Sequence, residues 1–238
     1  MLTSLKDYTK KFIFRFINPS WNVSYSQAGE DAVIDFLFTE LGLKTPTYLE
    51  LGVHSPDMGN NTYRFYLRRA RGVLVEADKT LIPSIKAKRP EDIILNVGVG
   101  VSDMDAMDFF IFDVQGLNTF SKEEAYKRNE GKYKIKEIVK VPMVSINRII
   151  EENFKVVPDF LSIDIEGLDL PVLKTLDFER FPIPVICAET CLYSENHIRP
   201  RDKSIAEFML SKGYFIYADT YINTFFVNEK WFYSQGTK

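Results

Sequence analysis

Apolar residues recur along the chain in two alternating rhythms. Thr47 to Leu51 (TYLEL) and Gly72 to Val75 (GVLV) are short, dense runs of strand character. Helical spacing precedes them in SYSQAGEDAVIDFLFTELG, where Val33, Ile34, Leu37, Phe38 and Leu41 share a face and Gly42 is a stop. The same reading predicts helices over Thr62–Ala70 and Thr80–Lys88, with a strand over Asp92–Val97. SINRIIEE reads as a short helix, FLSIDIEG as a buried strand, Asp169–Leu176 as a helix and PVICAE as a strand. A helix over Ser204–Lys212 stops at Gly213, and YFIYAD and TFFVNE are the last two strands. Before FLSIDIEG the rhythm changes: MDFFIF and VKVPMVS flank the charged SKEEAYKRNEGKYKIKE, which predicts a β insertion carrying a mobile polar loop.

Strands alternating with helices imply an α/β fold with a mostly parallel sheet, helices on both faces and a C-terminal antiparallel hairpin. Ligands in such sheets bind beyond the carboxyl ends of the strands. Those ends read Glu50–His54, Glu76, Asn96, Asp164–Glu166 and Glu189, all polar, which predicts one site. Glu76 follows Gly52 by 24 positions. A strand, a glycine turn, a helix and a second strand ending in an acid suit a nucleoside, because the acid accepts hydrogen bonds from two ribose hydroxyls. The first turn is GVHSPDMG, without the glycine spacing that lets backbone amides approach a pyrophosphate, so a nicotinamide dinucleotide is disfavoured.

Composition narrows the class. The 238 residues, 45% hydrophobic and 14% aromatic, suffice for one large domain over 26–238. A net charge of −3 disfavours a nucleic-acid binder that relies on overall charge. Cys187 and Cys191 are the only cysteines, which fits a reducing cytoplasm, and Cys187 reads as a core residue. No apolar run is long enough to span a bilayer, and no signal-peptide pattern is seen at the start. Residues 1–25 read as a basic amphipathic segment, Lys6, Lys10, Lys11 and Arg15 mixing with Phe12, Ile13, Phe14, Phe16 and Ile17. A covering helix, a dimer face and a membrane-surface helix all fit that pattern.

SQAGED (26–31), YLELGVHSP (48–56), NNTY (60–63), GVLVEAD (72–78), FLSIDIEGLD (160–169), VICAE (185–189) and INTFFV (222–227) occur in order. Together they resemble the FkbM family of S-adenosylmethionine-dependent methyltransferases. The resemblance implies a class I methyltransferase (Rossmann-like) fold and O-methylation of a hydroxyl, often on a sugar, a polysaccharide precursor or a secondary metabolite. It implies that Glu50 and Gly52 lie at the methionine end of the cofactor, with Glu50 where the family commonly carries Asp; His54, inside that motif, contacts the methionine carboxylate or supports the loop, and Asn61 is a further candidate cofactor contact. It assigns Glu76 and Ala77 to the ribose, Asn96 and Val97 to the adenine, and Asp164 and Glu166 to the methyl-transfer face.

A sugar hydroxyl is a poor nucleophile at neutral pH, so a base or a metal is expected. Asp164, Glu166 and His197 are the candidate bases, and Glu189 and Asn118 are candidate acceptor contacts. Asp164, Glu166 and Glu189 also permit Mg²⁺ without requiring it. Arg199 and Arg201 are candidates for the diphosphate of a nucleotide-activated sugar, with Arg128, Lys132 and Lys134 as alternatives. Gln27 and Glu30 either reach the cofactor or cap their helix. A nucleotide-binding protein of the same fold without methyl transfer is the competing reading.

Overall fold

The computed structural model describes residues 23–114, 116–191 and 200–236. The amphipathic residues 1–22, and with them His197 and Arg199, lie outside the described residues.

A seven-stranded sheet forms from β1 (Tyr48–Leu51), β2 (Gly72–Val75), β3 (Ile93–Leu95), β7 (Phe160–Ile163), β8 (Val185–Glu189), β9 (Tyr214–Asp219) and β10 (Asn223–Asn228). The order across it is β3-β2-β1-β7-β8-β10-β9. β1 pairs in parallel with β2 and β7, and so do β2 with β3 and β7 with β8. β10 is antiparallel to both β8 and β9, so the C-terminal hairpin inserts its second strand into the sheet and leaves β9 at the edge.

Strands buried on both faces explain the dense apolar runs. On one face Leu49, Leu51, Val73 and Val75 pack with Ile146, Ile149 and Ile150 of α5 (Ile146–Asn153) and Val172 and Leu173 of α6 (Asp169–Thr175). Ile205 and Met209 of α7 (Ser204–Ser211) complete that layer. On the other face Tyr48 and Leu74 pack with Ile34, Leu37 and Phe38 of α1 (Glu30–Glu40), Phe65 of α2 (Tyr63–Leu67) and Ile85 of α3 (Ile82–Lys88).

The insertion is a second, three-stranded sheet of β4 (Gly98–Gly100), β5 (Met104–Phe112) and β6 (Ile135–Ser145), in the order β4-β6-β5. Its charged stretch is a helix, α4 (Lys122–Glu130), not the expected loop. Ser121 accepts the Glu124 N–H as a cap, acids fill the first turn, and Lys127 and Arg128 fill the last. Ala125 is the one fully buried apolar residue on it, so apolar spacing gave the helix no signal. A final helix, α8 (Glu229–Gln235), was likewise unexpected; Asn228 caps it by accepting the Trp231 N–H.

Candidate active site

A cavity of about 490 Å³ opens beyond the carboxyl ends of β1, β2, β7 and β8, within the size range of small-molecule sites. Gly52 makes the opening possible. Its φ is +82°, and a Cβ there would meet the Asp164 carbonyl oxygen at 1.9 Å, so β1 can turn against the end of β7 only with glycine.

The chain then passes through His54, itself at φ 49°, whose N–H donates to Glu76 Oε2 at 2.8 Å. The Asp78 N–H donates to Glu76 Oε1 at the same distance. Two backbone donors thus fix the carboxylate at the cavity wall. Burial raises its pKa, against the opposing effect of those hydrogen bonds. Ala77 and Val97 line the wall beside it. Asn96 does not; its side chain donates to the carbonyls of Glu76 and Ala77 and fixes the chain after β2.

Across the cavity, Asp164, Ile165 and Glu166 line the loop after β7, and Glu189 lines the end of β8. Glu166 (φ 51°) and Gly167 (φ 97°) bend that loop sharply. Asp169, 5% exposed, accepts the N–H groups of Ile165 and Gly167 and holds the bend. Burial foremost, with the nearby Glu166 charge, pushes the Asp169 carboxyl up to about 6, although the two N–H donors oppose it.

The insertion supplies the third side. Asn118, Thr119, Phe120 and Phe109 line the cavity, with the two phenylalanine rings 4.6 Å apart. Asn118 accepts the Phe112 N–H and donates to Asp78 Oδ2 at 3.1 Å, tying the insertion to the loop after β2. Gln27 closes the rim from before α1, whereas Glu30 is buried in hydrogen bonds to Ala28, Thr220 and Asn223.

Three further anticipated residues lie elsewhere. Glu50 points away from the cavity, where Thr62 Oγ1 donates to its carboxylate at 2.6 Å and Arg89 Nη1 stands 3.4 Å off. Strand alternation explains this: it turns Tyr48 and Glu50 from the face that Leu49 and Leu51 occupy. Asn61 donates to Ser162 Oγ at 3.0 Å and does not line the cavity. Arg201 pairs with Asp219 and donates to Thr190 and Thr224, so its guanidinium is taken up locally. Arg128, the alternative phosphate contact, is buried against Glu166, and Lys134 caps the Asn129 and Gly131 carbonyls.

Among the described residues, no three His, Cys, Asp or Glu side chains gather closely enough to hold a metal ion, and no helix is long and apolar enough to cross a membrane. Phe109 and Asp169 escaped sequence reasoning as parts of the site, and Arg128 was read only as a phosphate contact. Asp169 alone had a local signal, as an acid opening a helix right after the polar strand end.

A mostly parallel α/β sheet with an acid-lined cavity at its carboxyl edge defines a Rossmann-like protein of the methyltransferase type. The family model for the methyltransferase FkbM domain matches residues 50–216, and the chain belongs to the FkbM methyltransferase family. No curated protein matches it.

Proposed function

We propose that the protein is an O-methyltransferase that uses S-adenosylmethionine to methylate a hydroxyl of a sugar-type acceptor. The observation that carries this reading is the Glu76 carboxylate, aimed at the cavity wall by the N–H groups of His54 and Asp78. Each carboxylate oxygen has lone-pair capacity beyond one backbone bond, which suits the two vicinal hydroxyls of a ribose. Ala77, Val97 and Phe120 offer apolar surface beside it for a purine, and Gly52 leaves room for the amino-acid end. The turn after β1, GVHSPDMG, supports a nucleoside without phosphate, because it lacks the glycine spacing that lets backbone amides approach a pyrophosphate.

When bound, S-adenosylmethionine supplies a methyl group on a sulfonium, open to in-line attack by an oxygen. The chain's own part is to hold the acceptor and take its proton. Asp164, at the end of β7 and facing Glu76 across the cavity, is the base in this reading; Glu166 and Glu189 accept hydrogen bonds from neighbouring hydroxyls. Phe109 and Phe120 keep water from that wall. Several carboxylates around one cavity favour a polyhydroxyl acceptor over an apolar one.

The test is a methyl-transfer assay with methyl-labelled S-adenosylmethionine against free sugars, nucleotide sugars and non-sugar phenols. Label in a sugar product, lost in Asp164→Asn, is expected. Label confined to phenols would overturn the acceptor assignment, and full activity in Asp164→Asn would overturn the base.

A further inference from the structure

The insertion does more than wall the cavity. It grips the loop after β7 at one residue, Glu166, from two directions. Arg128 of α4 donates from Nη2 to Glu166 Oε2 at 2.8 Å and from Nη1 to the Leu117 carbonyl at 2.8 Å. Thr119 Oγ1 donates to the Glu166 main-chain oxygen at 2.9 Å and accepts the Ser121 N–H that opens α4. Thr119 is itself fixed, because it exchanges both backbone hydrogen bonds with Phe110 of β5.

α4 cannot swing free of this arrangement. Ala125 is fully buried against Phe110 and Phe112, with Leu117, Tyr133 and Ile135 around them. The helix is therefore rigid with its small sheet, and Arg128 is the arm that reaches from it to the main sheet.

The Arg128 side chain is 2% exposed and that of Glu166 30%. Burying the guanidinium costs desolvation, and an apolar side chain of the same size commonly stabilises as well, so stability does not explain the pair. Its geometry does something apolar packing cannot. It sets one carboxylate of the cavity in a single direction while the same residue sits at φ 51° in a loop that also carries Asp164. Arginine suits the task because two guanidinium nitrogens serve two acceptors on different segments, which a lysine point charge cannot do.

We propose that Arg128 is a positioning residue: through Glu166 it latches the 164–167 loop, so that ligand binding in the cavity depends on the docked insertion. This rests on the reading of the cavity as a cofactor site, and the experiment separates the two. Wild type, Arg128→Lys, Arg128→Ala, Glu166→Ala and the Arg128→Ala/Glu166→Ala double variant are titrated calorimetrically with S-adenosylhomocysteine. Hydrogen exchange of peptides spanning 164–169 is followed in the same proteins without ligand.

Arg128→Ala is expected to weaken S-adenosylhomocysteine binding roughly tenfold and to speed exchange in that peptide, with Arg128→Lys intermediate. In the Glu166→Ala background the same substitution should have little further effect, because the latch is already gone. Thermal melts check that the variants are folded. Undiminished binding in Arg128→Ala, or an effect that simply adds to that of Glu166→Ala, overturns the latch. If wild type itself fails to bind S-adenosylhomocysteine, the cofactor reading falls, and exchange alone decides the latch: unchanged 164–169 protection in Arg128→Ala refutes it, and faster exchange confined there upholds it.

Discussion

Two buried arginines, Arg89 and Arg128, each meet a glutamate that the strand ends had offered as a site residue, yet they do opposite work. Arg89 is wholly inaccessible and surrounded within the main sheet: Asp92 accepts from Nε at 2.8 Å, Asn60 from Nη1 at 3.1 Å and Thr62 from Nη2 at 2.8 Å, with Glu50 beside it. The Tyr48 hydroxyl and the Gly72 N–H close the network on Asp92. Arg128 donates to the Leu117 carbonyl and to Glu166 Oε2, on two segments, and Glu166 lines the cavity. A saturated network welds elements that never part, whereas a single arm between a main sheet and an insertion sets a direction. The same pair of residue types thus serves scaffold in one place and site in the other, and only the surroundings tell them apart.

The largest expected effect breaks the first of these. Arg89→Met leaves Glu50 and Asp92 buried without their cation and should destabilise the fold by about 3–5 kcal/mol, read as a lower urea midpoint. A loss under about 1 kcal/mol would mean that the network is not the weld described. Burial already raises the Glu50 carboxyl, chiefly by desolvation, and Arg89 opposes that rise, so removing Arg89 should drive Glu50 to its neutral form.

Asp169 sharpens the contrast from the cavity side. Its pKa of about 6 lies above the unfolded value of about 4, so the folded protein keeps a proton that the unfolded chain releases over that window. Its contribution to stability is therefore complete below about pH 4 and lost as pH rises through about 6. The stability of wild type relative to Asp169→Asn should fall across this window by on the order of 1–3 kcal/mol, measured by denaturant titration at each pH. A flat difference would show that Asp169 is not titrating there.

Glu76 yields a smaller, binding-side effect. Burial raises its pKa above that of an ordinary glutamate, so its charge is lost as pH falls into the acidic range. Affinity for S-adenosylhomocysteine should drop as pH is lowered through that range, and Glu76→Gln should remove the dependence. Equal pH dependence in both proteins would assign it to another group.

The smallest effect concerns Arg201, whose place in the sequence suggested an acceptor contact. Its pairing with Asp219 is about a third exposed, so Arg201→Ala should cost under about 1 kcal/mol of stability and leave the acceptor KM unchanged. A KM raised tenfold would return Arg201 to the acceptor site.

Much of this was legible in the residues, and the failures have physical causes. Short apolar runs and their polar ends located β1, β2, β7 and β8 together with the polar residues at their carboxyl ends, because parallel strands buried on both faces leave little ambiguity. Glu50 could not be placed by the same signal: whether it faces the cavity or Arg89 depends on pleat and on an arginine 39 residues on, which no local pattern encodes. The insertion helix was hidden because its buried face consists of one alanine and one arginine. Arg128 was visible as a cation near the site but not as an arm, since its partner lies 38 residues downstream.

The most direct test of the central claim is calorimetric titration of wild type and Glu76→Ala with S-adenosylmethionine and S-adenosylhomocysteine, with NAD as control. The account predicts binding of the first two by wild type, loss of roughly tenfold or more in affinity in Glu76→Ala, and no binding of NAD. Undiminished binding in Glu76→Ala, or preference for NAD, would contradict it.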